Sequence, residues 1–409
     1  MNKRLLLSII IQFFIFIISD DSLHLEINRA RSHFDQTGNL TPLVVSFSSP
    51  DKNEKIKAVD LICIVDVSGS MYGDNIELVK DSLKYLANLM NEQDNFALVT
   101  FHSYSLINIP FTKMTSENKK TVIEEINALD AGGGTNIYSG LEKGLSLLQN
   151  DYLSGQRVAS MILLSDGQDG YSSAVRNFKN LIISQKKDNY AFTLHSFGYG
   201  DYHDANLMNE ISKIRDGSYF YIQRLVDVQD AYVKIYGSLS TVCNVNLELI
   251  IESNYQIHKV YGMEDMYEAS LKNSNSTFNT KIIQVIYGKE YVFVVLVDIP
   301  ENTTIGTEVL NATISPLGIN AKYLWSNSYN IYAYEEYIRC ICFTYISDGF
   351  EKGNYNGPQI IQNGLKWIQE NYNGTRNWEG EFQTILIDFN NYNSYGTANI
   401  LSKLRVLKT

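Results

Sequence analysis

The stretch Leu61-Ile-Cys-Ile-Val-Asp66-Val-Ser68-Gly-Ser70-Met71 restricts this chain more than any other. Five apolar residues run without interruption into Asp-x-Ser-Gly-Ser, and helix-like spacing begins directly afterwards. A short continuous apolar run bounded by a turn signal predicts a buried strand at the centre of a parallel sheet. The polar cluster then falls at the carboxyl end of that strand, where open α/β sheets place their ligands. One carboxylate and two hydroxyls within five residues form an all-oxygen donor set, suited to a hard cation such as Mg²⁺. Taken alone, the same pattern also describes a helix N-cap with spare hydroxyls.

Two later stretches add donors. Ala131-Gly-Gly-Gly-Thr135-Asn136 is a glycine-rich loop that delivers a threonine, and Met161-Ile-Leu-Leu-Ser-Asp166-Gly167 is a second apolar strand ending in an aspartate. With these in place the sequence resembles a von Willebrand factor type A domain. Asp66, Ser68, Ser70, Thr135 and Asp166 match the metal-ion-dependent adhesion site of that family. The resemblance implies that Ser68, Ser70 and Thr135 touch a metal directly and that Asp66 and Asp166 act partly through waters. It further implies that an exposed Asp or Glu of a protein ligand completes the shell. Mg²⁺ is the expected ion, with Mn²⁺ or Ca²⁺ as alternatives.

The fold class expected is α/β: a doubly wound, Rossmann-like type A domain inserted in a β-sandwich and followed by a small helical C-terminal region. Residues 58–236 alternate between strand-like and helix-like periodicity, which suits a parallel sheet with crossover helices. Ile76, Val79, Leu83, Leu86 and Met90 recur at spacings of three and four, one apolar face of a helix. Residues 106–111 read as an antiparallel edge strand ended near a proline. Residues 23–57 carry two short alternating stretches that do not belong to this alternation. Their partners are expected among strand-like runs in residues 240–326, so that a sandwich is built from both flanks and the ends of the insertion lie close together. Residues 327–409 read as helical, with a Gly-Asn-rich turn between a helix ending at Glu351 and one spanning residues 358–371.

The resemblance extends to one branch of the family through Ser68-Gly-Ser-Met71, Gly132-Gly-Gly-Thr135-Asn136 with Gly140-Leu141, Leu164-Ser-Asp166-Gly167, and Phe197-Gly-Tyr-Gly200-Asp201 with His203-Asp204. That branch has a β-domain after the type A domain and a C-terminal helical pair. It includes bacterial cell-envelope proteins and plant proteins that join the module to a RING finger. Four cysteines cannot build a RING-type double zinc site, so ubiquitin-ligase activity is not carried over. Cys63, inside the central strand, reads as a small buried hydrophobe. Cys243, Cys340 and Cys342 are candidates for one disulfide.

Residues 1–19 read as a secretory signal peptide: Lys3 and Arg4, then an apolar run from Leu5 to Ile18, then Ser19 at a cleavage point. An uncleaved signal anchor is the alternative, and only then does the membrane become a partner. Secretion or display on the extracellular surface follows, and Asn39, Asn275, Asn302, Asn311 and Asn373 would be glycosylation acceptors there. A formal charge of −11 excludes nucleic acid as a partner, because phosphate binding needs a basic footprint.

No His-Glu-x-x-His, nucleophile elbow or phosphate-binding Gly-x-x-x-x-Gly-Lys occurs. His102 and His195 are the only imidazoles near the sheet worth weighing as bases, and structural roles suit both better. The chain is therefore not expected to be an enzyme. The function expected is a metal-dependent adhesion or recognition module. The alternatives are a scaffold whose metal is structural, and an intracellular adaptor if residues 1–19 do not direct secretion.

Overall fold

The computed structural model describes residues 23–30, 40–50, 57–148, 152, 157–169, 173–200, 203–262, 276–372, 374 and 376–390. The signal-like residues 1–19 and the acceptors Asn39, Asn275 and Asn373 lie outside this set.

The first described elements are β1 (His24–Arg29) and β2 (Leu40–Ser48), which pair antiparallel with Leu25 opposite Phe47 and Ile27 opposite Val45. The α/β unit follows as β3 (Val59–Asp66), α1 (Asp74–Leu89), β4 (Asn95–Phe101), β5 (Ser105–Lys113), α2 (Ser116–Asn127) and α3 (Ile137–Ser146). It continues through β6 (Val158–Ser165), α4 (Ala174–Ser184), β7 (Phe192–Tyr199), α5 (Ala205–Ser212), β8 (Tyr219–Ile222) and α6 (Leu225–Ser240). The strands are ordered β5-β4-β3-β6-β7-β8, all parallel except β5.

Successive residues of β3 point to opposite faces of the sheet, and both faces are covered. Leu61, Cys63 and Val65 pack with Val79, Leu83 and Leu86 of α1, Val122 and Ile126 of α2, and Val228 and Tyr232 of α6. Ile62 and Ile64 pack with Ile137, Leu141 and Leu145 of α3, Phe178 of α4 and Met208 of α5. This two-sided burial explains why the strand shows no polar alternation. Strand β5 is the exposed edge and carries Pro110 within it, a position that edges tolerate because one N–H side faces solvent.

The chain then forms β9 (Val242–Ser253), β10 (Ile257–Tyr261), β11 (Thr277–Ile286), β12 (Glu290–Asp298), β13 (Glu308–Ser315) and β14 (Ile319–Leu324). Two antiparallel sheets result, ordered β1-β2-β12-β10 and β11-β9-β13-β14. Leu43, Val45, Phe47, Phe293 and Val295 of one sheet share a buried core with Leu247, Leu249, Ile251, Ala312 and Ile314 of the other. The connections into and out of the α/β unit meet at one place. Pro50 O accepts the Gly288 amide at 2.9 Å, and Thr241 O accepts the Tyr287 amide at 2.9 Å, both on the β11–β12 turn. Asn302 is exposed in a turn, whereas Asn311 is held in β13 with its Nδ2 on Glu252 at 3.4 Å.

Helices α7 (Ile331–Glu351), α8 (Gly353–Asn371) and α9 (Trp378–Asn390) close the described chain. Ala333, Tyr337 and Ile338 of α7 cluster with Val44, Val292 and Val294, the outward residues of the first antiparallel sheet. Three details differ from the sequence-based expectation. The Gly-Asn-rich stretch before Pro358 is helical rather than a turn, because α7 and α8 approach closely: a Cβ at Gly349 would lie 2.6 Å from Ile361 Cδ1. A third helix joins the expected pair, burying Trp378, Phe382 and Ile385 at helical spacing. All four cysteines are free. Cys340 and Cys342 stand two apart on one helix, where side chains do not face each other, and Cys243 donates to Val285 O at 3.2 Å in the sandwich.

Candidate metal centre

The apolar run of β3 carries Asp66 into the interior, where it is 0% exposed. The chain leaves the sheet there through a 3-10 turn, Gly69–Met71, closed by the Met71 amide on Ser68 O at 3.1 Å. This turn brings Ser68 Oγ and Ser70 Oγ to 3.2 Å from each other. Ser68 is buried and Ser70 is exposed, so the pair runs from the interior to the surface.

Both carboxylate oxygens of Asp66 are held. Oδ1 accepts the Ser68 amide at 2.9 Å, and Oδ2 accepts the Ser165 hydroxyl at 2.5 Å. Ser165 Oγ itself accepts the Gly167 amide at 2.9 Å. Asp166 follows Ser165 at the end of β6 and is 3% exposed; its Oδ1 accepts the Gln168 amide at 3.2 Å. Its backbone oxygen accepts the Asp204 amide at 3.0 Å, while Asp204 caps α5 through the Leu207 amide at 3.0 Å. Gly167 takes φ +69°, and a Cβ there would press on Asp204 O at 3.1 Å, so the turn beside Asp166 requires glycine.

The third loop is stitched to the first by backbone bonds. The Gly132 amide donates to Val67 O at 2.7 Å, and the Gly69 amide donates to Gly133 O at 3.1 Å. Gly133 has φ +87°, and a Cβ on it would lie 3.0 Å from His102 Nδ1. The Gly134 amide donates to Ser103 Oγ at 3.2 Å. Half-buried Thr135 comes next, and Asn136 then caps α3 by accepting the Ser139 amide at 3.0 Å. Asp66, Ser68 and Ser70 are thus joined directly, Asp166 is joined through Ser165, and Thr135 is joined through its glycine loop.

Burial pushes the Asp66 carboxyl up to about 6, with the neighbouring Asp166 charge adding to the rise, against the hydrogen bonds from Ser165 and Ser68. Among the described residues no Lys, Arg or His forms an ion pair with either aspartate. Buried charges are ordinarily paired or coordinate a metal. Two adjacent buried carboxylates without a basic partner, next to two close hydroxyls, therefore fit a hard divalent cation. Among the described residues no three His, Cys, Asp or Glu side chains converge in a group that could hold a metal ion.

His195 and His203 are held by other groups. His195 Nδ1 accepts the Ser218 amide at 3.0 Å. His203 is buried across Gly198, with Nδ1 at 2.7 Å from Gly200 O and Nε2 on the Tyr219 hydroxyl. His102 Nδ1 is buried against the glycine loop with no hydrogen-bond partner. Reading the sequence for metal donors passed over Ser165 and Ser103. Their only signal was position, one beside Asp166 and one just past the end of β4.

Residues 60–232 match the family described as von Willebrand factor type A domain. This part of the chain is a von Willebrand factor type A domain. Over 182 residues, 44% of this chain and 31% of the other, it is 32% identical to the uncharacterized protein YfbK of Escherichia coli (strain K12). It is 26% identical over 208 residues to the uncharacterized protein sll0103 of Synechocystis, covering 51% of this chain and 48% of that one. The chain thus spans about a third to a half of the length of these two relatives. The solved structure of a von Willebrand factor type A protein from Catenulispora acidiphila has the same fold, with a TM-score of 0.70 at 14% identity. That likeness covers 95% of this chain and 96% of the other. Type A domains act mostly as non-catalytic modules of protein–protein interaction and adhesion, and they commonly bind a divalent metal ion. Among the described residues no helix is long and apolar enough to cross a membrane.

Proposed function

We propose that the type A domain holds one divalent cation on Asp66, Ser68, Ser70, Thr135 and Asp166, and that through it the protein captures an exposed Asp or Glu of a partner protein. The observation that carries this reading is the buried Asp66–Asp166 pair, which has no basic partner and is followed by the Ser68–Ser70 hydroxyl pair, whose outer member is exposed. Mg²⁺ is the expected ion, with Mn²⁺ or Ca²⁺ as alternatives. When bound, such an ion supplies an under-neutralised positive centre that takes a carboxylate as an outer ligand. The protein's own part is to hold the donors still. Ser165 and the Ser68 amide orient Asp66, the Gly167 turn and Asp204 fix Asp166, and the Gly69–Gly133 bond carries the Thr135 loop to the Ser68–Ser70 turn.

The surrounding organisation is part of the same reading. Residues 58–236 form the recognition domain, inserted between residues 23–57 and 240–326 of a sandwich, with 327–409 as a helical end and 1–19 as a signal that sends the protein out of the cell. The meeting of both connections on the β11–β12 turn supports this division. The test is carboxylate displacement. The chain is stripped with EDTA and loaded with Mn²⁺, and acetate is added while water-proton relaxation is followed. Acetate should lower the relaxivity by displacing a metal-bound water, and acetamide should not. Equal behaviour of the two probes would refute carboxylate capture.

A further inference from the structure

The three loops that surround the donors do more than present oxygens. The first runs on from Ser70 and Met71 to Tyr72, which is 77% exposed although it is a large aromatic residue immediately beside a buried turn. The Tyr72 amide is tied back to Gly69 O at 3.3 Å, and Gly69 is the residue bonded to Gly133. The second is the tight turn between β4 and β5, closed by the His102 amide on Tyr104 O at 2.9 Å. It presses His102 on Gly133 and Ser103 on Gly134, and it leaves Tyr104 57% exposed with its ring edge-on to His102 at 4.2 Å. Leu106, two residues further on edge strand β5, is 53% exposed. Two exposed tyrosines and a leucine therefore stand on segments that touch the same Gly133–Gly134 backbone, the stretch that delivers Thr135.

Single exposed apolar residues are ordinary, but apolar residues gathered at one functional rim mark a recognition surface. Tyrosine suits that purpose because its rigid ring offers contact area at small entropic cost. We infer that Tyr72, Tyr104 and Leu106 form an apolar collar that selects, among acidic side chains, one carried next to an aromatic or aliphatic group of the partner. The inference rests on the carboxylate-capture reading and names its specificity. The occupant is set by complementarity: a carboxylate toward the bound cation, and an apolar group within one side-chain length of it, toward the collar. A purely acidic segment would gain nothing from the collar and would meet the repulsion of a chain with a formal charge of −11.

The experiment compares acetate with 3-phenylpropionate on the Mn²⁺-loaded full chain by water-proton relaxation, for the wild type and for Tyr72→Ser and Tyr104→Ser. The aryl acid should displace water at a concentration about three- to tenfold lower than acetate, the range expected of one good aromatic contact. Each substitution should reduce that advantage while leaving the acetate midpoint and the Mn²⁺ affinity unchanged. Tyr72→Ser is the cleaner of the two, because Tyr104 also leans on His102. Equal midpoints for the two acids in the wild type would overturn the collar and leave carboxylate capture standing. An aryl advantage that survives both substitutions would likewise overturn it. Failure of both acids to displace water would remove the capture reading, and the collar with it.

Discussion

Replacing Asp66 by Asn should stabilise the metal-free protein at neutral pH while destroying the proposed metal site. The Asp66 carboxyl is fully buried and titrates at about 6, against an ordinary 3.8, chiefly because of burial. The folded state therefore holds this proton more tightly than the unfolded chain does. The associated stability is fully present below about pH 4 and is lost as pH rises through 6. At pH 7 in EDTA, keeping Asp66 ionised costs about 3 kcal/mol. Asparagine has the same shape and no charge. Its Oδ1 can still accept the Ser68 amide, but the Ser165 hydroxyl loses its carboxylate acceptor, a loss of about 1 kcal/mol. The net expectation is a gain of about 2 kcal/mol at pH 7 that shrinks to nothing or reverses by pH 4.

The assay must report on the type A domain itself. All three tryptophans, Trp325, Trp367 and Trp378, lie outside it, so fluorescence is a poor probe. Hydrogen exchange of the β3 peptide, Val59–Asp66, followed against urea at pH 7 and pH 4, gives the local quantity. A loss of protection in Asp66→Asn at pH 7, or a difference that does not change with pH, would refute the reasoning. Either result would mean that the buried carboxylate is compensated by something other than a cation.

Other perturbations separate the parts of the site. Metal affinity should fall about tenfold between pH 7 and pH 5 in calorimetric titration, since one proton competes at Asp66; a flat profile would contradict that competition. Thr135→Ala should weaken acetate binding to the Mn²⁺-loaded chain more than it weakens Mn²⁺ itself, with unchanged circular dichroism; an unchanged acetate midpoint would remove Thr135 from the shell. Gly140→Ala, whose new Cβ would lie 2.5 Å from Phe101 Cδ1 and 3.0 Å from Ile64 Cγ2, should cost about 1–3 kcal/mol in urea unfolding. Arg157→Met should cost about 3–5 kcal/mol, because it strips the guanidinium from buried Asp60, whose remaining partners are Tyr152 and Asn95.

Much of the fold was legible where one interaction dominates the local choice. The β3 run reads as a central strand because burial on both faces leaves no room for a polar residue between Leu61 and Val65. Helix α1 announces itself through Ile76, Val79, Leu83 and Leu86, all buried on the sheet. Elements that depend on tertiary context were harder. Strand β10 is five residues long and takes its identity from pairing with β12. The first turn of α8 holds glycines and asparagines that favour loops, and its helicity comes from packing on α7 rather than from propensity. Helix α9 did carry a signal, Trp378-Phe382-Ile385, but it lies within residues 327–409, which read as helical without a third helix being set apart from the expected pair.

The site divides in the same way. Asp66, Ser68 and Ser70 lie within five residues, so their convergence is local and shows in sequence. Asp166 and Thr135 reach them only through the strand order β4-β3-β6, which no short pattern encodes and which only the family resemblance supplied. Ser165 and Ser103 act by hydrogen bonding to backbone or carboxylate, and serines are too common for such roles to stand out.

The central claim is that Asp66 and its neighbours form a cation site, and calorimetric titration of the EDTA-stripped full chain with Mg²⁺ and Mn²⁺, beside Asp66→Ala, tests it most directly. The account predicts saturable one-site binding in the wild type, lost in the variant while the circular dichroism spectrum stays the same. Equal binding by both proteins, or saturable binding by neither, would contradict it.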